Sequence, residues 1–280
     1  MAKTIITVDS TCDLPKSLTE EKQIFVSPLY VRTSTGEYRD GVDIDPDGLF
    51  EIVRTTGELP KTAACSAEDY LTLWKPLVEA GNEVVHINLS SEMSSCHQNA
   101  RLAAQELGNV YPVDSRSLST GSGLLALRGW DMAREGKGAR EISEALTALV
   151  PKLNTSFVLD TMDYLAKGGR CSSVTAFAAS MLRLRLCIAV TDGKMDVSKK
   201  YRGKTETVLK QYVGERLSAA GYDDGRVFIT ETGVEKETVN ALAEALKNEW
   251  GFKEVLHSKA GCTISSHSGP GCLGILFFNK

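Results

Sequence analysis

Runs of residues typical of buried β-strands alternate with runs typical of helices along most of this chain. Residues 4–8, 83–89 and 157–160 are strand-like, whereas residues 120–134 and 236–250 are helix-like. Such alternation indicates βαβ units, in which helices cover a largely parallel sheet. The pattern therefore predicts an α/β fold.

The length of 280 residues is about twice that of an ordinary domain. A helix predicted over residues 139–149 ends just before Pro151, and a new strand begins soon afterwards. We therefore predict an N-terminal α/β domain over residues 1–152 and a C-terminal α/β domain over residues 153–280.

Composition narrows the classes of partner. The formal net charge of −4 at pH 7 argues against nucleic acid or a membrane surface as the main partner. No stretch approaches the roughly 20 apolar residues of a membrane-spanning helix. The N-terminus runs directly into a predicted strand without a signal-peptide pattern. We expect a cytoplasmic protein with no stable membrane insertion.

The cysteines and histidines do not form the patterns of metal sites. The seven cysteines are odd in number and widely spaced, and no C-x-x-C pair occurs among them. Reduced thiols in a cytosolic protein are the simplest interpretation. The four histidines are scattered as well. The sequence therefore predicts no metal and no cofactor.

Small hydroxyl residues follow predicted strands at four places. Ligands of open α/β sheets bind at the carboxyl ends of strands, where helix N-termini favour anions. Serine and threonine are also the ordinary N-caps of helices, so each place taken alone has a structural explanation. The residues are Ser10 and Thr11, Thr62 and Ser66, the serines of residues 90–95, and Ser119 with Thr120.

The C-terminal segment places a histidine beside an apolar strand. His267 is expected to open the glycine-rich turn 268–271, and residues 272–278 indicate a buried strand. A polar group at the mouth of such a strand suits either an enzyme or a pocket for an amphipathic ligand. Residues 269–274 match G-x-G-x-x-G, but a dinucleotide fingerprint must follow a strand and open a helix.

Two features of the second half bear on ligand and partner. Residues 172–189 mix small residues with large apolar ones, which indicates either a slot for an alkyl chain or an ordinary helix core. Basic residues cluster nearby, forming either a solvated face or a docking surface for an acidic partner. They are Arg170, Arg183, Arg185, Lys199, Lys200, Arg202 and Lys204.

Five motifs, in order and spacing, resemble those of the DegV family. This family comprises bacterial fatty-acid-binding proteins that serve as the lipid-carrying subunit of fatty acid kinase. The resemblance covers nearly the whole chain. The motifs are residues 8–15, residues 113–121, Lys167-Gly168-Gly169-Arg170, Arg202-Gly203-Lys204 and His267-Ser268-Gly269-Pro270-Gly271.

The resemblance implies two α/β domains with a long-chain fatty acid in a tunnel between them. It implies that Thr62, Ser94 and His267 hold the carboxylate, and that Arg170 and Arg202 serve phosphotransfer or contact with the kinase. A separate ATP-dependent kinase would form the acyl phosphate, so the chain itself would have no catalytic residue. Secondary ligand-site positions are Ser95, Ser119, Thr120, Gly121 and Gly269.

The chain departs from the family pattern in two loops. Where the family typically reads Thr-Ser-Gln-Pro-Ser, this chain has Thr62-Ala63-Ala64-Cys65-Ser66, and Glu92-Met93-Ser94-Ser95-Cys96 replaces Gly-Leu-Ser-Gly-Thr. Glu92 adds an acid near the expected carboxylate site. Like charges would disfavour binding there unless the Glu92 side chain turns outward.

Two alternatives remain open at this point. The first is an esterase or acyltransferase that uses Ser94 or Cys96 as nucleophile with His267 as base. The second is a carrier of another anionic lipid, such as a lipid phosphate.

Overall fold

The computed structural model describes residues 3–175 and 184–280, and its strands and helices confirm the predicted α/β class. In chain order the strands are β1 (Thr4–Asp9), β2 (Phe25–Ser27), β3 (Tyr30–Thr33), β4 (Gly36–Arg39), β5 (Lys61–Ala63), β6 (Glu83–Asn88), β7 (Val110–Asp114), β8 (Leu153–Val158), β9 (Leu184–Thr191), β10 (Lys194–Arg202), β11 (Tyr222–Glu231), β12 (Glu254–Lys259) and β13 (Leu273–Asn279). The helices are α1 (Lys16–Lys22), α2 (Pro46–Thr56), α3 (Ala67–Glu79), α4 (Cys96–Leu107), α5 (Thr120–Arg134), α6 (Ala139–Leu149), α7 (Asp163–Gly168), α8 (Ser172–Thr175), α9 (Thr205–Ala220), α10 (Lys236–Asn248) and α11 (Cys262–Ser268).

The described strands form three sheets. A four-stranded parallel sheet has the order β2-β1-β6-β7. A six-stranded mixed sheet has the order β10-β9-β8-β13-β11-β12, in which β11 and β12 are parallel. The third sheet is antiparallel, with the order β4-β3-β5. The first sheet uses residues 4–114 and the second residues 153–279, while the predicted domain boundary at 152/153 stays a prediction.

The apolar interior is continuous between the two larger sheets. Leu124 and Leu125 of α5 belong to the same buried cluster as Phe228 of β11 and Leu276 of β13. Burying such a side chain contributes about 1.5–3 kcal/mol relative to leaving it exposed. Helix α5 is therefore a shared core element of both sheets.

Local sequence signals place several elements correctly. The Asp45 carboxylate accepts a hydrogen bond from the Gly48 amide at 2.8 Å and caps α2. The sequence Ser66-Ala67-Glu68-Asp69, with an acid three residues after a serine, predicts a capping box, and Ser66 and Asp69 form it at the start of α3. Asp192 and Gly193, with φ of 49° and 82°, make the hairpin turn between β9 and β10. These features depend on residues close in sequence, which is why the sequence predicts them.

One strand prediction is wrong, because the structure has two strands where the sequence pattern predicts one. The pattern of residues 24–31 predicts a single strand, but the structure has β2 and β3 in different sheets. Pro28 lies between them, and a proline lacks the N–H group that a continuous ladder needs. The chain leaves the parallel sheet at this proline and enters the antiparallel one.

The expected setting of His267 is also wrong. It does not open the turn before the last strand but lies in the last turn of α11. The sequence Cys-Thr-Ile-Ser-Ser-His-Ser contains weak helix formers, so its local pattern does not indicate a helix. The glycine turn begins afterwards, at Gly269 with φ of 70°.

Two buried acids from the N-terminal half hold the beginning of α11. The Asp40 carboxylate accepts hydrogen bonds from the amides of Cys262 at 2.7 Å and Thr263 at 3.1 Å. The Asp13 carboxylate accepts from the Gly261 amide at 2.8 Å. Burial raises the pKa of Asp13 well above its usual value, and nearby Asp40 adds to the effect. Carboxyl groups at this end satisfy amides that the helix leaves unpaired.

Eight of the eighteen residues of the predicted alkyl slot, 176–183, lie outside the described residues. Ser172 to Thr175 form α8, and Leu184 begins β9.

Candidate functional site

An apolar cavity lies between the sheets and α11. Its volume of about 90 Å³ is several times the roughly 15 Å³ that one water molecule needs. Apolar side chains make up most of its wall. They include Leu29, Ala63, Ala64, Leu89, Met93, Leu118, Phe157, Leu165, Met195, Ala260, Ile264, Cys272 and Leu276.

The structure brings Thr62, Ser94 and His267 into the lining of this cavity. The Thr62 hydroxyl and His267 Nε2 lie 2.9 Å apart and share a hydrogen bond, although the residues are 205 positions apart in sequence. Thr62 belongs to β5, Ser94 to the loop between β6 and α4, and His267 to α11. Three separate elements therefore supply these three polar groups to one cavity.

His267 is uncharged near neutral pH. Burial lowers its pKa to about 4, and the positive charge of Arg170 acts in the same direction. A neutral imidazole has one N–H donor and one acceptor nitrogen. With Nε2 on the Thr62 hydroxyl, Nδ1 has no hydrogen-bond partner among the described residues.

Gly168 leaves room for the His267 ring. A Cβ atom built on Gly168, the last residue of α7, would overlap His267 Nδ1. Gly168 carries only a hydrogen atom at this position, so it does not overlap His267 Nδ1. The glycine of the Lys167-Gly168-Gly169-Arg170 segment thus permits the close approach of α7 and α11.

Arg170 lines the same cavity and is exposed. Its Nη1 donates to the Gly168 carbonyl at 2.8 Å. Among the described lining residues, Arg170 carries the one permanent positive charge. It therefore provides a cation beside His267.

Glu231 adds a buried carboxylate to the lining, and its pairing is already complete. Burial acts to raise its pKa, but hydrogen bonds from His257 and from the Val234 and Gly233 amides lower it below the usual value. The His257 Nε2 contact measures 3.3 Å and the Val234 amide contact 2.8 Å. The carboxylate is thus held by protein groups.

The secondary ligand-site positions predicted from the family resemblance divide into one that lines the cavity and four that do not. Ser119 lines the cavity, and its hydroxyl donates to Asp13 at 2.5 Å. Ser95, Thr120, Gly121 and Gly269 are not among the lining residues. The Thr120 hydroxyl pairs with that of Thr230 at 2.6 Å, and Gly121 packs against Ser117 and Thr155. Gly269 packs against Thr161 and Tyr164, and Ser95 precedes α4.

Arg202 is exposed at the end of β10 and is not among the residues that line the cavity. The roles assigned by resemblance to Arg202 and to the other site residues stay predictions.

Glu92 points away from the cavity. Its carboxylate pairs with Arg116 Nη1 at 3.1 Å and Lys194 Nζ at 3.3 Å. Hydrogen bonds from these two cations lower its pKa, and Glu92 is not among the lining residues. The like-charge conflict expected from the sequence is therefore relieved.

Within residues 3–175 and 184–280, neither Ser94 nor Cys96 is paired with a base. The Ser94 hydroxyl donates to Cys96 Sγ at 3.2 Å, and Cys96 is fully buried. His267 Nε2 is engaged by Thr62. A nucleophile activated by a base requires a hydrogen bond between the two. This arrangement does not supply one.

The sequence pattern does not indicate several of the residues that line the cavity. Thr263 and Ile264 lie on the unpredicted helix α11, and Leu29 follows the proline that separates β2 from β3. Thr230 lies near the carboxyl end of β11, and position at a strand end is the one signal that could have indicated it.

Within the described ranges, no helix combines the length and apolarity needed to cross a membrane. In the same part of the chain, three or more His, Cys, Asp or Glu side chains do not come together in a possible metal site.

The buried state of His267 predicts a pH dependence of stability. Its pKa is near 4 in the folded protein and about 6.5 in an unfolded chain. Between these values the unfolded chain binds more protons, so the free energy of unfolding falls as pH drops from about 6.5 toward 4. The free energy of unfolding, measured by urea denaturation, should fall between pH 7 and pH 4.5 in both proteins. We expect this fall to be about 2 kcal/mol smaller in His267→Gln than in wild type. Equal losses in the two proteins would contradict the assignment.

Known proteins resemble the chain over its full length. The model of a family described as "Uncharacterised protein, DegV family" matches residues 3–280. A DegV domain-containing protein of Caldanaerobacter subterraneus subsp. tengcongensis is 30% identical, with complete coverage of both chains. Protein DegV of Bacillus subtilis is 27% identical over 98% of this chain and 99% of its own.

Solved structures share the fold. A fatty-acid-binding DegV family protein of Thermus thermophilus has a TM-score of 0.88 and 29% identity, covering 99% of this chain and all of its own. A stearic-acid-binding protein of Eubacterium ventriosum has a TM-score of 0.87 and 25% identity, covering all of this chain and 99% of its own. The chain belongs to the DegV family.

Proposed function

We propose that this protein binds a long-chain fatty acid in the cavity, with the carboxylate at Thr62, Ser94 and His267. The observation that carries the proposal is the convergence of these three polar residues on a cavity whose wall is mostly apolar. The fatty acids bound by the Thermus thermophilus and Eubacterium ventriosum proteins support it.

The acyl chain supplies most of the binding free energy. At about 0.8 kcal/mol per buried methylene, roughly 14 methylenes contribute on the order of 11 kcal/mol. The loss of ligand motion and chain flexibility offsets several kcal/mol of this gain. The apolar wall therefore provides affinity, and the polar residues set the orientation of the ligand.

The head-group site suits a carboxylate that must still react. Thr62 and His267 share one hydrogen bond, and a neutral imidazole has a single N–H, so one member of this pair donates to the carboxylate without forming an ion pair. The Ser94 hydroxyl supplies a second donor when it turns from Cys96 to the ligand. A bidentate arginine would engage both oxygens at once. Arg170, exposed and beside His267, adds favourable charge and compensates for the desolvation of the carboxylate.

The same arrangement suits presentation of the carboxylate to a separate ATP-dependent kinase. One carboxylate oxygen would attack the γ-phosphorus of ATP, the bond to ADP would break, and an acyl phosphate would form. The protein is then a lipid-binding subunit and not an enzyme by itself. Exposed Arg202 on β10 and Arg170 beside the cavity are the cations available to the partner or the transferred phosphoryl group.

An esterase or acyltransferase is less consistent with the geometry, because Ser94 donates to Cys96 and His267 pairs with Thr62. A carrier of a lipid phosphate would need more positive charge than Arg170 alone supplies among the described lining residues.

Lipid extraction tests the binding proposal. Protein purified without detergent should release about one long-chain fatty acid per chain into organic solvent, as measured by mass spectrometry. Protein stripped of lipid should take up hexadecanoic acid in a titration. A folded protein that yields no fatty acid and takes up none would refute the proposal, and a lipid phosphate in the extract would favour the alternative carrier.

Reconstitution tests the kinase step. Loaded protein with Mg-ATP should form acyl phosphate, detected as the hydroxamate, only after addition of a fatty acid kinase. We expect Arg202→Ala to slow acyl phosphate formation about tenfold, because it removes an exposed charge assigned to the partner or the phosphoryl group. Fatty-acid affinity should stay unchanged, because Arg202 lies outside the cavity. Lys204→Ala removes a neighbouring exposed charge and serves as control. Acyl phosphate without kinase, or equal rates in both variants, would contradict this assignment.

A further inference from the structure

The Arg185 side chain joins three segments of the C-terminal half. Arg185 lies on β9, and its side chain is 22% exposed. Its guanidinium donates to the Gly203 carbonyl at 2.7 Å, to the Thr205 hydroxyl at 2.8 Å and to the Asp160 carboxylate at 2.7 Å. Asp160 lies just after β8, Gly203 follows β10 and Thr205 begins α9. One side chain therefore holds the ends of two strands and the beginning of a helix.

The segment that Arg185 holds contains the Arg202-Gly203-Lys204 motif. Gly203 has a φ of 140°, a conformation that residues with a Cβ atom rarely adopt. Lys204 is the N-cap of α9 and forms no side-chain hydrogen bond with the helix. The bonds from Arg185 to the Gly203 carbonyl and the Thr205 hydroxyl therefore fix the backbone that follows Arg202.

Arg185 and Arg202 lie on opposite faces of the six-stranded sheet. Arg185 pairs across the strands with Tyr201, and directly opposed residues share a face. Tyr201 belongs to the same buried cluster as Val208 of α9, which places Arg185 on the α9 face. Successive residues of a strand point to opposite faces, so Arg202 points away from α9. Arg185 thus supports the motif from behind and leaves the face that carries Arg202 open.

The position of the Arg202 charge depends on its backbone. The Arg202 side chain is exposed, and within residues 3–175 and 184–280 it forms no salt bridge or hydrogen bond. A long side chain of this kind samples many rotamers when no partner holds it. The backbone of residues 202–204 is therefore what sets where its guanidinium can reach, and Arg185 holds that backbone.

We propose that Arg185 is a positioning residue for phosphotransfer, which fixes the backbone of the Arg202-Gly203-Lys204 motif so that Arg202 is in place for the kinase reaction. This inference rests on the proposed kinase step. Arg185 is not among the described residues that line the cavity, so it has no part in binding the fatty acid. A group misplaced by about 1 Å can cost a reaction up to about a hundredfold in rate.

A double-mutant cycle in the acyl phosphate assay, with loaded protein, Mg-ATP and a fatty acid kinase, tests the inference. Arg185→Ala should slow acyl phosphate formation about tenfold and should change the same constant, kcat or KM for the loaded protein, as Arg202→Ala does. In the Arg202→Ala background it should change the rate less than about twofold, because a positioning residue acts only through the group that it positions. Affinity for hexadecanoic acid should match wild type in every variant.

Arg226→Ala is the matched control. Arg226 lies on β11 of the same sheet, has the same side-chain exposure of 22%, and pairs with Asp131 at 3.4 Å and Glu254 at 2.5 Å. Its replacement should leave the rate of acyl phosphate formation unchanged. Hydrogen–deuterium exchange of residues 203–206 should rise in Arg185→Ala and not in Arg226→Ala, because only the first variant releases this segment.

The outcomes separate this inference from the proposed function. If Arg202→Ala slows the reaction but Arg185→Ala does not, or if the two effects multiply in the double variant, the role of Arg185 is wrong and the proposed function stands. The role of Arg185 is also wrong if Arg226→Ala slows the reaction equally. If loaded wild type forms no acyl phosphate with the kinase, or if Arg202→Ala reacts as wild type does, the proposed role of Arg202 is wrong and the inference falls with it. Near-ultraviolet circular dichroism confirms that each variant is folded before the assay.

Discussion

The site depends on the docking of the short helix α11 against two buried carboxyl groups. A seven-residue helix of weak helix formers has little stability of its own. Asp13 and Asp40 engage the amides of residues 261–263 and thereby join the C-terminal half to the N-terminal half. His267 lines the cavity because the helix is anchored in this way. The candidate site is therefore a product of contacts between distant parts of the chain.

Some buried polar groups beside the cavity do not stabilise the folded protein. Burial keeps His267 neutral, leaves its Nδ1 unpaired and leaves the Thr263 hydroxyl without a partner. Such groups destabilise the folded protein, because a buried polar atom without a hydrogen-bond partner costs free energy. The surrounding apolar clusters supply the stability that the polar groups do not.

The sequence predicts the parts of the fold that local residues control. The Asp45 cap, the Ser66 capping box and the bounds of α5 follow from such signals. Helix α11 escapes prediction because its capping acid, Asp40, lies 222 residues from Cys262. Within the site, Thr62 and His267 meet through packing that no spacing rule reveals, and only the family resemblance links them.

The central claim is that His267, held against Thr62, positions the carboxylate of a fatty acid. The most direct measurement is the affinity of lipid-free Gly168→Ala for hexadecanoic acid, because the added Cβ must displace the His267 ring. We expect affinity to fall about tenfold or more, the effect of losing a hydrogen bond to a charged group. Gly138→Ala, whose Cβ meets no atom within 4 Å, should bind as wild type does. Equal affinity of folded Gly168→Ala and Gly138→Ala would contradict the account.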